Sequence, residues 1–411
     1  MSTAMSRSEF VALMAMLAAT VALSIDAMLP ALPQIAQSLS PDDINKAQLI
    51  VTSFVLGMGL GTFVTGPLSD TFGRKPVMLW GSVLYIIGAV IASWAQSLEV
   101  LLAARVVQGL GASGPRVVAM AVIRDLYAGR GMAQIVSFVM IVFSLVPAIA
   151  PLLGSIVIDI WDWRAVFYCF VGFSAVSAVW VAVRLPETLA PENRRSLRID
   201  ALRSAFTEMF VHPVVRISIA VQALSFGMLF GLLSSIQQIF DITFDRAESF
   251  PLWFGAVAIV AASSGFLNAR LVMRLGMMFL VRAMLLAQVI LSAAMILVAT
   301  AAAAGHVSND LYFGAFVIWQ ASLFFQAGMT IGNLNAIAQE PMGHIAGMAA
   351  SVISSVATVG GVALAVPVGL LFDGTPLPLS ISIFLQAVLG LALMGLMVRV
   401  DARLTTCYGH D

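Results

Sequence analysis

GPLSDTFGRK (Gly66–Lys75) is the stretch on which the reading of this chain turns. It is a short polar break between two long apolar runs, and its residue types are spaced for a purpose. A glycine at each end, Gly66 and Gly73, permits close helix approach and a tight turn. Asp70 stands at the end of the preceding run, where a helix N-terminus or a basic side chain can meet it. Arg74 and Lys75 open the next run. Asp125, in the Arg124–Asp125 pair that ends the fourth apolar run, is a candidate partner for Arg74. The simpler alternative is that these charges only set membrane topology.

On either side of this break the chain is apolar. Of 411 residues, 60% are hydrophobic and 10% are charged, against roughly 25% charged in soluble domains. Runs of about 20 apolar residues are long enough to cross a bilayer. We read twelve spans, at 10–33, 47–69, 76–96, 99–123, 134–158, 164–185, 213–239, 250–273, 277–302, 311–335, 345–371 and 378–399. The expected fold is an all-α membrane protein whose twelve transmembrane helices form two pseudo-symmetric six-helix bundles. The longest polar break, 186–212, serves as a cytoplasmic linker between an N-terminal bundle (1–185) and a C-terminal one (213–411).

Sixteen of the 21 basic residues fall on the side that holds the N-terminus, three (Lys46, Arg164 and Arg246) on the other, and Arg105 and Arg116 lie within span four. By the positive-inside rule both termini are cytoplasmic. Arg7 followed by an Ala-rich run resembles a signal peptide, but the run continues to about residue 33 and further spans follow, so we expect it to be retained as span one. Net charge is zero and nothing in the sequence suggests nucleic-acid binding. Cys169 and Cys407 do not make a disulfide framework. The four histidines (His212, His306, His344 and His410) lie outside the span cores, so no buried constellation for an enzyme or a metal is expected.

The two halves echo one another. GFLNARLVMRLGM (Gly265–Met277) follows span eight as the Gly66 break follows span two. VPAIAPLLG (Val146–Gly154) in span five has a counterpart in GGVALAVPVG (Gly360–Gly369) of span eleven. Matching Gly/Pro-rich helices are what a transporter built from repeats would show.

Three spans hold the candidate machinery. Span one contains Asp26, the only acid well inside any run, about seven residues from one end and so roughly 10 Å deep. Span four reads ARVVQGLGASGPRVVAMAVIRD (Ala104–Asp125). Arg105 and Gln108 are three apart, and Arg116 returns to within about 20° of the Arg105 face. Gly109, Gly111 and Gly114 thin the helix for close packing. Arginines in a bilayer are costly and should face an interior, unless they snorkel to a surface. Arg105 and Asp26 reach a similar depth from the same side, so they can be neighbours. A buried carboxylate beside an arginine can change protonation with solvent exposure, which proton coupling requires. A static pair, or Asp26 capping a kink at Pro30, is the alternative. Span five carries Pro147, Pro151 and Gly154, which should bend the helix.

These motifs resemble the major facilitator superfamily, and within it the bicyclomycin/chloramphenicol-resistance (Bcr/CflA) type of twelve-span drug:proton antiporter. IDAMLPALP, GPLSDTFGRKP, RVVQGLGA, VIRDLY, VPAIAPLLG, WDWRAVF, LPETL, EPMGHIAG and FDGTPLPL carry the resemblance over almost the whole chain. It implies export of small, mostly apolar compounds in exchange for protons by alternating access, from the bacterial inner membrane. It gives Asp26 the proton-coupling position and Arg105 the span-four motif position. APLLGS (Ala150–Ser155) resembles the antiporter motif, with Ala150 and Ser155 where that motif has glycines. Many relatives read Gly-Met where Pro115–Arg116 stands and have an arginine near Met120, which implies a modified cavity here.

The second half offers amides instead of acids: Gln222, Gln237, Gln238, Gln288, Gln320, Gln326, Asn333 and Asn335. They serve either as cavity hydrogen-bond groups or as interhelical contacts. Phe226, Met228, Phe230, Trp319, Phe324 and Phe325 could form an adaptable apolar wall. His344 reads as a loop residue. The expected protein is a monomeric transporter of a small molecule in a lipid bilayer, without cofactor, driven by the proton gradient. Uptake by proton symport is the alternative, since it uses the same fold and the same acid.

Overall fold

A computed structural model describes residues 5–194 and 199–408. Arg195, Arg198 and His410 lie outside the described residues. The chain divides into two compact units, Met1–Arg198 and Ile199–Asp411.

In the first unit α1 (Arg7–Asp26) is followed by a single 3₁₀ turn, Leu29–Ala31, and by α2 (Leu32–Leu39). Together they make the first crossing, which is longer than the expected 10–33 and is broken in the middle. Pro30 and Pro33 supply no backbone N–H, which favours a break in the α-helix at this stretch. There follow α3 (Leu49–Phe72), α4 (Arg74–Ser93), α5 (Leu98–Leu126), α6 (Gly129–Ile160) and α7 (Trp163–Arg184). The second unit holds α8 (Ile199–Val211), α9 (Pro213–Gln238), α10 (Phe250–Leu275), α11 (Met277–Ala303), α12 (Asn309–Gln339), α13 (Ala346–Leu370) and α14 (Leu377–Tyr408). The polar stretch 186–212, read as a linker, thus contains the helix α8. Between α12 and α13 the backbone leaves helical geometry at Met342, which separates two crossings.

The exposed side chains identify a multi-pass membrane protein. On α4, Trp80, Val83, Leu84, Ile87 and Ile91 are all exposed and recur at helical spacing. On α6, Phe138, Ile141, Leu145, Ile149 and Ile156 do the same. Such apolar stripes would be aggregation sites in water, and in lipid they are the outer wall.

Small residues bring the first unit's helices together. A Cβ on Gly57 of α3 would stand 2.0 Å from the Val106 carbonyl oxygen of α5, and one on Gly109 would stand 2.0 Å from that of Phe54. The two backbones therefore lie in direct contact, and α5 docks between α3 and α4 with Gly111 and Gly114 against Gly81 and Tyr85. Without a hydrophobic driving force between helices in lipid, this close packing is the main source of association. In the second unit α9 and α13 meet in the same way, with Gly361 against Phe226 and Gly227.

Candidate functional site

Asp26 is the last residue of α1, at the point where the chain leaves α-helical geometry. It is 5% exposed, and among the described residues it is the only buried carboxylate. Among the described residues its side chain makes no hydrogen bond or ion pair, and it does not cap the turn at Pro30. Gly154 of α6 packs against this break: a Cβ there would lie 2.2 Å from the carbonyl oxygen of Ala27. Pro147 and Pro151 stand inside α6, which continues as one helix past both. The Pro/Gly segment of span five is therefore seated directly on the residue after Asp26.

Arg105 of α5 is completely buried. Its Nε donates to the Ile50 carbonyl at 3.2 Å, one terminal nitrogen to Gln108 Oε1 at 2.7 Å, and the other to the Ser24 carbonyl at 3.0 Å. The Phe54 ring lies 4.4 Å from the guanidinium carbon. Ser24 Oγ and Tyr85 Oη are 2.6 Å apart, extending this cluster to α4. Asp26 and Arg105, which by depth can be neighbours, form no ion pair or hydrogen bond with each other. Arg105 meets α1 at Ser24, and Asp26, two residues further on, stands about 200° round the helix from it. Arg105 is instead held by neutral acceptors that tie α1, α3 and α5 together. Ser24 and Tyr85 were not singled out in the sequence, although Ser24 is a polar residue two positions from Asp26.

Arg116 is half-buried on α5. Its one hydrogen bond goes to Met58 Sδ at 3.7 Å.

The Gly66–Lys75 stretch forms the junction of α3 and α4. Gly73 has φ +105°, a conformation that side-chain-bearing residues rarely adopt. Arg74 is buried rather than a free surface charge. Its Nε lies 3.0 Å from Asp125 Oδ2, and one terminal nitrogen serves both Ser69 Oγ, at 2.8 Å, and Asp70. Thr188 also donates to Asp125, at 3.0 Å. Lys75 Nζ reaches the Ala182 carbonyl at 2.7 Å. The Gly66 carbonyl accepts from Ser69 Oγ. The member that sequence reasoning missed is Glu187, in the LPETL segment. Its carboxylate accepts the backbone N–H of Arg74 at 2.9 Å and of Lys75 at 3.1 Å. These are orphan donors of the first turn of α4, where an anion is favoured. A second clamp at this end joins Glu9 to Arg184 through two 2.7 Å contacts and to Trp180 Nε1 at 3.1 Å.

The echo in the second unit keeps the turn and drops the ion pairs. Gly276 has φ +80° between α10 and α11. Arg270 and Arg274 are exposed, and Arg270 lies over the Phe266 ring. Of the expected amides, Gln288 is bonded to Ser292 and Ser322, and Asn333 to Asn268 and the Met329 carbonyl. Gln222, Gln237, Gln326 and Asn335 each leave a buried amide oxygen unpartnered, and Gln320 leaves both amide atoms so. Met228 and Trp319 are core residues, and Phe226 stacks on Phe230 at 5.2 Å. His344 Nε2 lies 2.9 Å from Glu208 of α8.

Comparison with known proteins matches the profile of the Major Facilitator Superfamily to residues 14–365. The chain is 29% identical over 335 residues to a bicyclomycin resistance protein homolog of Haemophilus influenzae, covering 81% of each chain. It is 37% identical over 169 residues to a chloramphenicol resistance protein of Pseudomonas aeruginosa, covering 40% of each. A D-xylose–proton symporter has the same fold, with TM-score 0.74, 15% identity, and 94% and 97% of the two chains covered.

Proposed function

The chain belongs to the Major Facilitator Superfamily, and on that premise we propose that it is a proton-driven exporter of small, mostly apolar compounds. Relatives named for bicyclomycin and chloramphenicol resistance support the direction and the class of cargo. In this reading the protein lies in the bacterial inner membrane with both termini cytoplasmic, works as a monomer, and uses the proton gradient as its only energy source.

The observation that carries the reading is Asp26, a buried carboxylate without a partner at the break between α1 and α2. Gaining or losing a proton there breaks no ion pair and no hydrogen bond. The balance between the two forms is then governed by how much water reaches the group, which is the quantity that alternating access changes. Gly154 seated on Ala27 gives α6 a mechanical hold on the same break. Arg105 and Gln108 hold α1 and α3 on α5. The Arg74–Asp70–Asp125 junction, with Glu187, fixes the cytoplasmic end of the bundle.

The test is transport of chloramphenicol in everted membrane vesicles energised by a proton gradient. Wild type accumulates it, and Asp26→Asn inserts into the membrane to the same level but does not. Undiminished gradient-driven accumulation by Asp26→Asn would remove the coupling role. Proton movement in the same direction as the drug would establish symport instead.

A further inference from the structure

Two guanidiniums lie inside the α5 span, and they differ in what holds them. Arg105 is saturated by the Ile50 and Ser24 carbonyls, Gln108 and the Phe54 ring. Arg116 has one contact, the Met58 sulfur at 3.7 Å. A thioether is a weak acceptor, and a guanidinium carries five donors. No carboxylate, carbonyl or hydroxyl of the described residues takes any of them. The other arginines whose side chains are described are exposed or held by protein groups: Arg74 by Asp70 and Asp125, Arg184 by Glu9, Arg246 by Asp310, and Arg164 by the Ala95 carbonyl.

Arg116 is also deep. It stands ten residues before the end of α5 at Leu126, roughly 15 Å along the helix. Its side chain runs back from there toward Met58, whose backbone nitrogen lies 2.8 Å from where a Cβ on Gly109 would be. The guanidinium thus lies near mid-span, beyond snorkelling reach of either end. Transporters place cargo sites at this level. The mid-span charges of this unit are then two cations, Arg105 and Arg116, and one carboxylate, Asp26, with no ion pair among them. With Asp26 protonated, nothing offsets either cation.

We propose that Arg116 is the recognition point for an anionic group on the transported molecule, and that the cargo class is small amphipathic carboxylates. A carboxylate matches the planar guanidinium fork, which can hold it through two parallel hydrogen bonds. It also supplies the counter-charge that the middle of α5 lacks, since its acids, Glu99 and Asp125, lie at its two ends. The proposal rests on the transporter reading above and narrows its cargo.

The experiment measures binding of 1-naphthoate and of its neutral isostere 1-naphthamide to the full-length protein in lipid nanodiscs, by calorimetry. Wild type is expected to bind the carboxylate about tenfold more tightly, as one charge-assisted contact supplies. Arg116→Gln should erase that preference while keeping naphthamide affinity, and Arg116→Lys should retain part of it as a point charge. Equal affinities in wild type, no naphthoate binding at all, or a preference that survives Arg116→Gln would each overturn the proposal. Equal affinities are also the result if Arg116 pairs with Asp26 in another conformation. The wild-type comparison needs no variant, so poor folding of Arg116→Gln does not remove the test. Absence of proton-gradient-driven naphthoate export in everted vesicles with the naphthoate preference intact would sink the efflux reading and leave this site standing. Export with no preference would do the reverse.

Discussion

Replacing Gly154 by alanine tests whether the Pro/Gly helix controls the break at Asp26. The added Cβ would stand 2.2 Å from the Ala27 carbonyl oxygen, where ordinary contact begins at 3.4 Å. One of the two backbones must therefore move by about 1.2 Å, because the clashing atom is main chain and cannot rotate away. Overpacking of this kind costs roughly 1–3 kcal/mol. For a unit of this size that is on the order of 2–4 °C of melting temperature per kcal/mol. The displaced group is the neighbour of Asp26, so the harm to proton-driven export should exceed what the stability loss explains. Gly172→Ala is the control, since nothing lies within 4 Å of its Cβ position on α7. Both variants would be compared by thermal unfolding of purified protein and by chloramphenicol accumulation in everted vesicles. We expect Gly154→Ala to melt lower and to transport well below the control at equal protein. Wild-type melting and transport by Gly154→Ala would refute the contact. Lower melting with normal transport would reduce it to packing.

Glu187→Ala should lower the melting temperature by removing the acceptor of the Arg74 and Lys75 backbone N–H groups, a lost helix cap worth about 0.5–2 kcal/mol. Thermal unfolding checks it, and an unchanged midpoint would mean that water replaces the carboxylate at no cost. Arg74→Lys keeps the charge and loses the fork that joins Asp125, Asp70 and Ser69, a change of roughly 1–3 kcal/mol for buried charge-assisted contacts. Cysteine-accessibility mapping should find its topology intact while transport falls. Normal transport would return Arg74 to the role of a topology charge.

The twelve crossings were legible because apolar runs separated by polar breaks leave little choice in a bilayer. The broken first crossing was less so, since a run of apolar residues looks the same whether its helix is straight or is interrupted, as here after Asp26. The Arg74–Asp125 contact could be anticipated because the base opens one run and the acid ends the next, which places both at the same end. Glu187 could not, because its role depends on the segment after α7 folding back to a helix start 113 residues earlier. Asp26 and Arg105, level in depth yet not bonded to each other, show the limit of depth arguments. Counting residues gives position along a helix axis, but the direction a side chain takes depends on how neighbouring helices are rotated. Here that rotation is set by backbone contacts such as Gly57 with Val106 and Gly109 with Phe54.

The two units differ in what a proton can change. The first has a lone carboxylate and two mid-span guanidiniums, so adding a proton alters its charge balance. The second has no buried carboxylate among its described residues, and its buried polar side chains are amides and Ser/Thr hydroxyls. Neither group titrates in the physiological range, so a proton gradient has nothing to act on among these described side chains. Their unpartnered atoms matter in another way. A buried acceptor left unpaired costs about 1–3 kcal/mol, and native interiors leave few such groups without a protein or water partner. Gln320 is fully buried with both amide atoms unpartnered, and Gln222, Gln237 and Gln326 each leave an oxygen so. Water or a polar group of the cargo would satisfy them. Their dependence on pH should therefore be slight, and any pH dependence of the affinity for a neutral ligand such as 1-naphthamide should disappear in Asp26→Asn. If it persisted in that variant, the titrating group would lie elsewhere and the assignment of coupling to the first unit would fail.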